Sequence, residues 1–159
     1  MEIISRIPNL KKLKILDDSG HPDWLAIIDS LILLVELESL NIVTETTIDR
    51  MIFSGDNVPP NLKQLKLSYT CIPWKDMKFL ANLPNLEVLK GHYAFKGTIW
   101  KLDDDVVFHK LKYLQKLAGD LQRWEAGSDN FPMLEQLKLH RLYDLEEIPE
   151  SIGEILTLK

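Results

Sequence analysis

The sequence predicts an α/β fold, a curved solenoid in which about six short parallel β-strands stack side by side and irregular or short helical segments cover their buried side. Two observations predict this architecture. The chain has 159 residues, of which 45% are hydrophobic, so a single domain spanning residues 1–159 can bury a core. Leucine alone accounts for 28 residues, and these leucines recur in a regular motif. The 27% of charged residues and the few glycines and prolines exclude a disordered or collagen-like chain.

The leucine motif has the form Leu-x-x-Leu-x-Leu and starts at six places. Successive starts are 27, 25, 24, 25 and 23 residues apart, within the range of about 20–29 residues that is typical of leucine-rich repeats. The last two apolar positions are two residues apart, and a strand directs such residues to one side. Strands stacked in parallel therefore bury a continuous core. The six motifs are Leu10-Leu13-Ile15, Leu37-Leu40-Ile42, Leu62-Leu65-Leu67, Leu86-Leu89-Gly91, Leu111-Leu114-Lys116 and Leu134-Leu137-Leu139.

Two motifs depart from the pattern, because Gly91 and Lys116 stand where an apolar residue is expected. Burying a lysine is costly. Two alternatives are open for the fifth repeat: either Leu117 replaces Lys116 through a β-bulge, or the strand is short.

The segments between the motifs form the return path that parallel strands require. A short helix is predicted from Pro73 to Ala81, since proline is favoured in the first turn of a helix, and another from Ala26 to Leu34. Loops are predicted over residues 44–60 and 93–106, and a turn at Glu147–Gly153.

All four tryptophans fall in the return path, 12 to 14 residues after the start of their repeats. This shared position favours packing in the core or at its edge over a ligand cage. Cys71 is the only cysteine, so an intramolecular disulfide and a multi-cysteine zinc site are excluded. We expect it to be a small buried residue and not a nucleophile. The tryptophans are Trp24, Trp74, Trp100 and Trp124.

Catalytic motifs such as His-Glu-x-x-His, Gly-x-Ser-x-Gly and Cys-x-x-Cys do not occur in the sequence. His92 and His140 share a repeat position but lie two repeats apart, which is about 10 Å at the spacing of parallel strands and too far for one metal ion. Asp103–Asp105 is interpreted as a solvated loop and not as a cation site. The sequence therefore predicts that the chain is not an enzyme and binds neither a metal nor a cofactor.

The residues that face outward from the predicted strands line the concave side of the sheet. They include nine basic and four acidic residues, a net charge of +5, whereas the whole chain carries −5. The fifth residues of the repeats form a row of lysine, asparagine and glutamine without an acid. Like charges repeated at about 4.8 Å destabilise a sheet unless water or a partner screens them. The candidate partner-binding residues are Lys12, Lys14, Lys63, Gln64, Lys66, Tyr69, Lys90, His92, Tyr93, Tyr113, Lys138, His140 and Arg141.

Two interpretations of this face are open. In the first, the lysines form a solvated surface that keeps the sheet from aggregating. In the second, the face docks an acidic protein segment through electrostatic steering and contacts with the interleaved tyrosines. Nucleic acid is not predicted as a partner, because the net charge of −5 and the fold disagree with it.

The sequence also predicts where the protein resides. No apolar run reaches the ~20 residues that a membrane span needs, and the first residues lack the basic start and apolar stretch of a signal peptide. A single cysteine and the absence of an Asn-x-Ser/Thr acceptor favour a reducing, intracellular setting. We therefore predict a cytoplasmic location.

Five segments carry a resemblance to a known family, and they are Asn61–Ser68, Leu83–Lys90, Ala94–Gly97 with Trp100, Phe131–Leu137 and Leu145–Gly153. They resemble plant intracellular immune receptors of the nucleotide-binding, leucine-rich-repeat class. Within that class they are most similar to coiled-coil-type resistance proteins of the nightshade family, such as late blight resistance proteins. The resemblance is best from Pro59 to Lys159.

The resemblance implies a C-terminal recognition and autoinhibition domain of a larger receptor. Its partners would be the receptor's own nucleotide-binding module and a pathogen effector or host co-factor. A Gly-x-x-x-x-Gly-Lys-Ser/Thr loop is absent, so we expect no binding of ATP by this chain. The ends lack the polar capping units of solenoids, which predicts self-association. The alternatives are the substrate-recognition domain of a ubiquitin-ligase adaptor and a structural spacer.

Overall fold

The computed structural model describes residue 4 and residues 6–17, 24–44 and 57–159. Its main element is a six-stranded parallel sheet whose strands follow one another across the sheet in chain order. This confirms the predicted α/β class and is compatible with a solenoid-like fold. The strands of this sheet are β1 (Lys12–Asp17), β2 (Ser39–Thr44), β3 (Gln64–Ser68), β5 (Val88–His92), β8 (Tyr113–Leu117) and β10 (Gln136–His140).

The strands pair residue for residue, so each motif position forms a straight row across the sheet. The row of motif leucines faces the core: Leu40, Leu65, Leu89 and Leu114 are buried, and Leu137 packs against them partly buried. A slip of one residue would turn all of these leucines toward solvent. Burial of the leucines therefore fixes the register.

The fifth strand keeps this register at Lys116, which pairs with Gly91 on β5 and with Leu139 on β10. Both alternatives for this strand, replacement by Leu117 through a bulge and a shortened strand, are therefore wrong. Lys116 itself is buried. Its Nζ lies 4.7 Å from the centre of the Trp74 ring, and a cation over an aromatic ring recovers part of the free energy lost on burial.

The return path contains four further strands. They are β4 (Ile72–Pro73), β6 (Phe95–Lys96), β7 (Ile99–Lys101) and β9 (Arg123–Glu125). They form two small parallel sheets, β4 with β6 and β7 with β9, so the loop predicted over residues 93–106 is partly wrong. Equivalent segments of neighbouring repeats lie side by side and supply each other with backbone hydrogen bonds.

Short helices complete the return path. The helix predicted at Ala26–Leu34 is present as α1 (Trp24–Leu31). The one predicted after Pro73 is the 3-10 helix Trp74–Asn82, with Pro73 as its N-cap. Further 3-10 turns span Ser128–Asn130 and Glu150–Glu154, the latter overlapping the predicted turn.

The loop predicted over residues 44–60 begins with Thr44, which belongs to β2. Residues 45–56 lie outside the described residues. Within the described ranges, every helix is too short or too polar to cross a membrane.

Three of the four tryptophans stack on one another along the return path. The ring centres of Trp74 and Trp100 are 4.7 Å apart and those of Trp100 and Trp124 are 4.9 Å apart, with the rings stacked. The parallel pairing of β7 and β9 sets Trp100 opposite Trp124, so the rings repeat at about the distance between strands. Trp24 is buried in α1. The predicted packing role is confirmed for all four.

Candidate protein-interaction face

The predicted site residues lie on or beside the side of the main sheet that faces away from the leucine core, which we call the polar face. Nine of the thirteen are in strands of the main sheet, Lys63 precedes β3, and Tyr69, Tyr93 and Arg141 directly follow β3, β5 and β10. Each is exposed or half-buried. Their role in binding stays a prediction. The nine strand residues are Lys12, Lys14, Gln64, Lys66, Lys90, His92, Tyr113, Lys138 and His140.

One row of residues, just before the strands, alternates in charge, and we call it the edge row. The edge row is joined by hydrogen bonds in which the backbone N–H of each later member donates to the carbonyl oxygen of the member in the preceding repeat. Lys63 Nζ lies 3.3 Å from Glu38 Oε1, and Lys159 Nζ lies 3.7 Å from Glu135 Oε2. The edge row therefore neutralises itself, and Lys63 already has an acidic partner. Its members are Lys11, Glu38, Lys63, Glu87, Lys112, Glu135 and Lys159.

A second row, three residues further along each repeat, has no alternation of charge, and we call it the lysine row. It contains four lysines and two amides and no acid. Lys66 and Lys90 are direct partners in the pairing of β3 with β5. Among the described residues, no carboxylate forms an ion pair with either of them. The row reads Lys14, Asn41, Lys66, Lys90, Gln115 and Lys138.

A shallow cavity of about 270 Å³ opens on the polar face between Lys66 and Lys90. Ser68, His92 and Gln115 line it together with the backbone of Gly91. A second cavity of about 200 Å³ adjoins it and shares both lysines. Two ammonium groups, a hydroxyl, an imidazole and an amide around one small space suit an anion, because charged donors form the stronger hydrogen bonds to an anionic oxygen.

An aromatic cluster, formed by Tyr69, His92 and Tyr93, stands beside this cavity. The two tyrosine rings are stacked with their centres 5.6 Å apart, and the His92 ring meets each of them edge-on at 5.1 Å. The Tyr69 hydroxyl lies 3.1 Å from Nε2 of His92. Both tyrosines remain substantially exposed, 39% and 45%. The cluster is thus a preformed aromatic surface open to solvent.

The backbone of both tyrosines is in the left-handed region, with φ of +62° for Tyr69 and +48° for Tyr93. Bulky residues rarely adopt this conformation, which costs on the order of 1–3 kcal/mol per residue. Both follow a strand at the same repeat position, where Ala118 and Arg141 also have positive φ. The repeat therefore imposes a turn here that directs the residue after each strand along the border of the polar face.

The electrostatic environment of His92 is cationic. Burial lowers the pKa of His92, and the positive charges of Arg141, Lys66 and Lys116 lower it further. The imidazole is accordingly neutral at pH 7. It can accept one hydrogen bond and donate another at the border between the cavity and the aromatic cluster.

Two groups with nucleophilic chemistry lie behind the polar face. Burial lowers the pKa of Lys116 to about 8, with Asp120 opposing the shift, and none of the described residues forms a hydrogen bond with its buried Nζ. The Cys71 thiol is free and half-buried, not fully buried as predicted, and burial raises its pKa. A raised thiol pKa means little thiolate at pH 7 and low reactivity.

The described residues contain no group of three or more His, Cys, Asp or Glu side chains placed to hold a metal ion. His92 and His140 are separated by one intervening strand, β8, as their repeat positions predict. A further cavity of about 640 Å³ lies in the return path between the 3-10 helix Trp74–Asn82 and residues 105–109. It mixes apolar side chains with Asp76, Lys78, Asp105 and His109.

Sequence reasoning missed two features of this face. Ser68 lines the cavity between Lys66 and Lys90. Its repeat position, which it shares with His92 in the strand pairing, could have indicated this. The alternation of the edge row was also missed, although the spacing of the repeats aligns its lysines with its glutamates. Comparing each charged residue with the residue one repeat later would have distinguished the edge row, in which lysine and glutamate alternate, from the lysine row.

Comparison with known proteins shows similarity to one group of sequences. The chain is 41% identical over 106 residues to a late blight resistance protein homolog of Solanum demissum, and equally to a second homolog of that species. It is 40% identical over 106 residues to a further late blight resistance protein homolog, R1B-13, also from Solanum demissum. The match covers 63% of this chain but only 8% to 9% of those proteins. No family model matches the chain.

Proposed function

We propose that this chain is a leucine-rich-repeat recognition module of a plant disease resistance receptor, and that it binds proteins through its polar face. The observation that carries the proposal is the lysine row, four lysines for which the described residues supply no ion-pair partner, beside an edge row in which lysines alternate with glutamates. The chain as a whole carries −5, so the cationic row stands out from an acidic molecule. The similarity to late blight resistance protein homologs of Solanum demissum supports the receptor setting.

Within such a receptor the module has two binding tasks. It holds the receptor's nucleotide-binding module in an inactive arrangement, and it releases that module when a pathogen effector or a host co-factor binds, which starts the defence response in the cytoplasm. An acidic partner surface is favoured, because opposite potentials accelerate encounter and set orientation. The proposal assigns binding and no catalysis to the chain.

The test is charge reversal of the lysine row in a full-length receptor. Replacing Lys66, Lys90 and Lys138 with Glu should weaken partner binding at least tenfold and release autoinhibition, measured by co-precipitation and by the cell-death response in leaves. The control variant replaces three exposed lysines of the return path with Glu, and it should leave partner binding and autoinhibition unchanged. These lysines are Lys75, Lys78 and Lys96. Unaltered binding and autoinhibition in the first variant would support a structural spacer and overturn the proposal.

A further inference from the structure

We propose that the cavity between Lys66 and Lys90 is a subsite for one aspartate or glutamate carboxylate of an extended acidic segment in the partner protein, and that the aromatic cluster beside it holds the neighbouring apolar or aromatic residue of that segment. This inference deepens the proposed function and rests on it. It replaces a general attraction to acidic surfaces with a defined pair of adjacent side chains.

The charge pattern supports a specific anion between these two lysines. Lys66 and Lys90 face each other across neighbouring strands, where like charges repel. In the edge row the same fold places a glutamate between successive lysines. Lys66 and Lys90 lie on adjacent strands and have Asn41 and Gln115 as their other neighbours in the row, so a carboxylate of the partner would supply the counter-charge that the row does not. Ser68 and Gln115 line the same cavity and offer neutral donors to the second carboxylate oxygen.

The aromatic cluster extends this subsite without a gap. His92 lines the cavity and its ring contacts both tyrosines. The two tyrosine rings are stacked and partly exposed, so they offer a rigid apolar surface that loses little side-chain entropy when a partner binds. Aromatic side chains of this kind dominate the binding free energy at protein interfaces.

The position of Asn41 favours a peptide segment, and not a free anion, as the ligand of the two cavities. It lies next to Lys66 in the lysine row and lines the second cavity. None of the described residues donates a hydrogen bond to its buried Oδ1, although buried amide oxygens normally accept one. Once its side chain turns toward the second cavity, Asn41 can accept from a backbone N–H of an extended segment that runs along the row, whereas a carboxylate or phosphate ion offers no amide. Carboxylate, apolar side chain and backbone N–H together describe a stretch of polypeptide.

The experiment uses the isotope-labelled 159-residue chain and a short blocked peptide in which one glutamate precedes one tryptophan. Titration followed by NMR should shift the signals of Lys66, Lys90, His92 and Tyr93. The same peptide with glutamine in place of glutamate should bind at least tenfold more weakly. Absence of binding by the glutamate peptide at millimolar concentration, or equal binding of the two peptides, would refute the subsite.

Two pairs of variants separate the subsite from general electrostatics. Lys90→Met should weaken binding of the glutamate peptide at least tenfold, whereas Lys75→Met removes the same charge from an exposed position of the return path, outside the cavity, and should change affinity less than twofold. Tyr93→Ala should weaken binding several-fold, and Tyr143→Ala, which removes a tyrosine that is 86% exposed, should not. Equal effects within either pair would overturn the assignment.

The remaining outcomes distinguish this inference from the proposed function. Inorganic phosphate that binds as tightly as the glutamate peptide would mark a plain anion site and overturn the choice of an acidic segment. If Lys90→Met and Lys75→Met act equally while the triple charge reversal still abolishes binding in the receptor, the subsite fails and the proposed function stands. If the peptide discriminates as expected but the triple reversal leaves receptor binding intact, the proposed function fails alone.

Discussion

Lys116 occupies a position at which Ile42, Leu67 and Leu139 stand in other repeats, and its ammonium enters the core with them. Burial lowers its pKa from 10.5 to about 8. The Trp74 ring at 4.7 Å offsets part of the penalty, but Nζ has no hydrogen-bond partner among the described residues. At pH 7 the folded protein therefore contains a buried charge that water solvates in the unfolded chain.

This burial predicts that the protein becomes more stable as the pH rises from about 8 to about 10.5. Below this window the lysine is protonated in both states and the folded state carries the full cost of the buried charge. Within it the folded chain loses the proton while the unfolded chain keeps it, so the free energy of unfolding rises with pH. A shift from 10.5 to about 8 corresponds to about 3 kcal/mol. Urea unfolding at pH 7, 8, 9 and 10 measures the slope.

The control for this prediction is Lys116→Met, which shortens the unbranched side chain by one atom and removes the charge. It should raise the free energy of unfolding at pH 7 by about 2–3 kcal/mol and flatten the rise between pH 8 and 10.5. Titratable groups that do not interact with Lys116 affect both proteins alike and cancel in the difference. A variant less stable than the parent at pH 7 would show that the ring contact outweighs desolvation.

At the scale of elements, the stacked tryptophans link the return path of one repeat to the next. Trp100 lies between Trp74 and Trp124 in the stack and is 3% exposed. Trp100→Ala should lower the free energy of unfolding by about 3–5 kcal/mol, since it removes a large buried side chain and leaves a cavity. Ile99→Ala is the matched control, because Ile99 is the neighbouring residue of β7 and is 48% exposed. Urea unfolding followed by circular dichroism compares them, and equal losses would contradict the packing role.

The main sheet could be predicted from the sequence because its signal is local and periodic. Leu65 and Leu89 repeat at the right spacing, and burial of one side then fixes the register. The small strands at Phe95–Lys96 and Ile99–Lys101 could not, because they exist only through pairing with other repeats. The prediction for Lys116 was wrong for a related reason. The expectation that lysine avoids burial takes no account of the Trp74 ring, which an earlier repeat places beside its ammonium group.

The candidate site likewise has features that the sequence predicts and features that it does not. The outward direction of Lys66 and Lys90 followed from strand alternation, and the structure places both there. Their shared cavity did not follow, because its shape depends on side-chain packing across three strands. The pairing of Lys63 with Glu38 was predictable in principle from repeat spacing. Contact between Tyr69 and Tyr93 depends on the left-handed turn after each strand, which the residue types do not suggest.

At the scale of the whole molecule, the sign of a residue's charge depends on its row in the main sheet and not on the segment of the chain to which it belongs. The edge row alternates in sign and binds itself together from repeat to repeat. The lysine row, on the same sheet, leaves its cations without acidic partners among the described residues. A sheet selected only for stability would use the alternating pattern in both rows, because opposite charges across strands stabilise and like charges destabilise. Under the proposed function, the edge row holds charges that stabilise the sheet and the lysine row holds charges that bind a partner.

This separation predicts opposite effects for the same substitution in the two rows. Lys63→Glu places a third acid between Glu38 and Glu87 and should lower the free energy of unfolding by about 0.5 kcal/mol, whereas Lys66→Glu places an acid beside Lys90 and should raise it by a similar amount. Urea unfolding at low salt measures both, and ~0.5 M NaCl should shrink both differences by screening. In the receptor, Lys66→Glu should weaken partner binding while the domain itself gains stability, the pattern expected of a functional residue. Equal destabilisation by both substitutions would mean that the lysine row is structural and that its charge is not held for a partner.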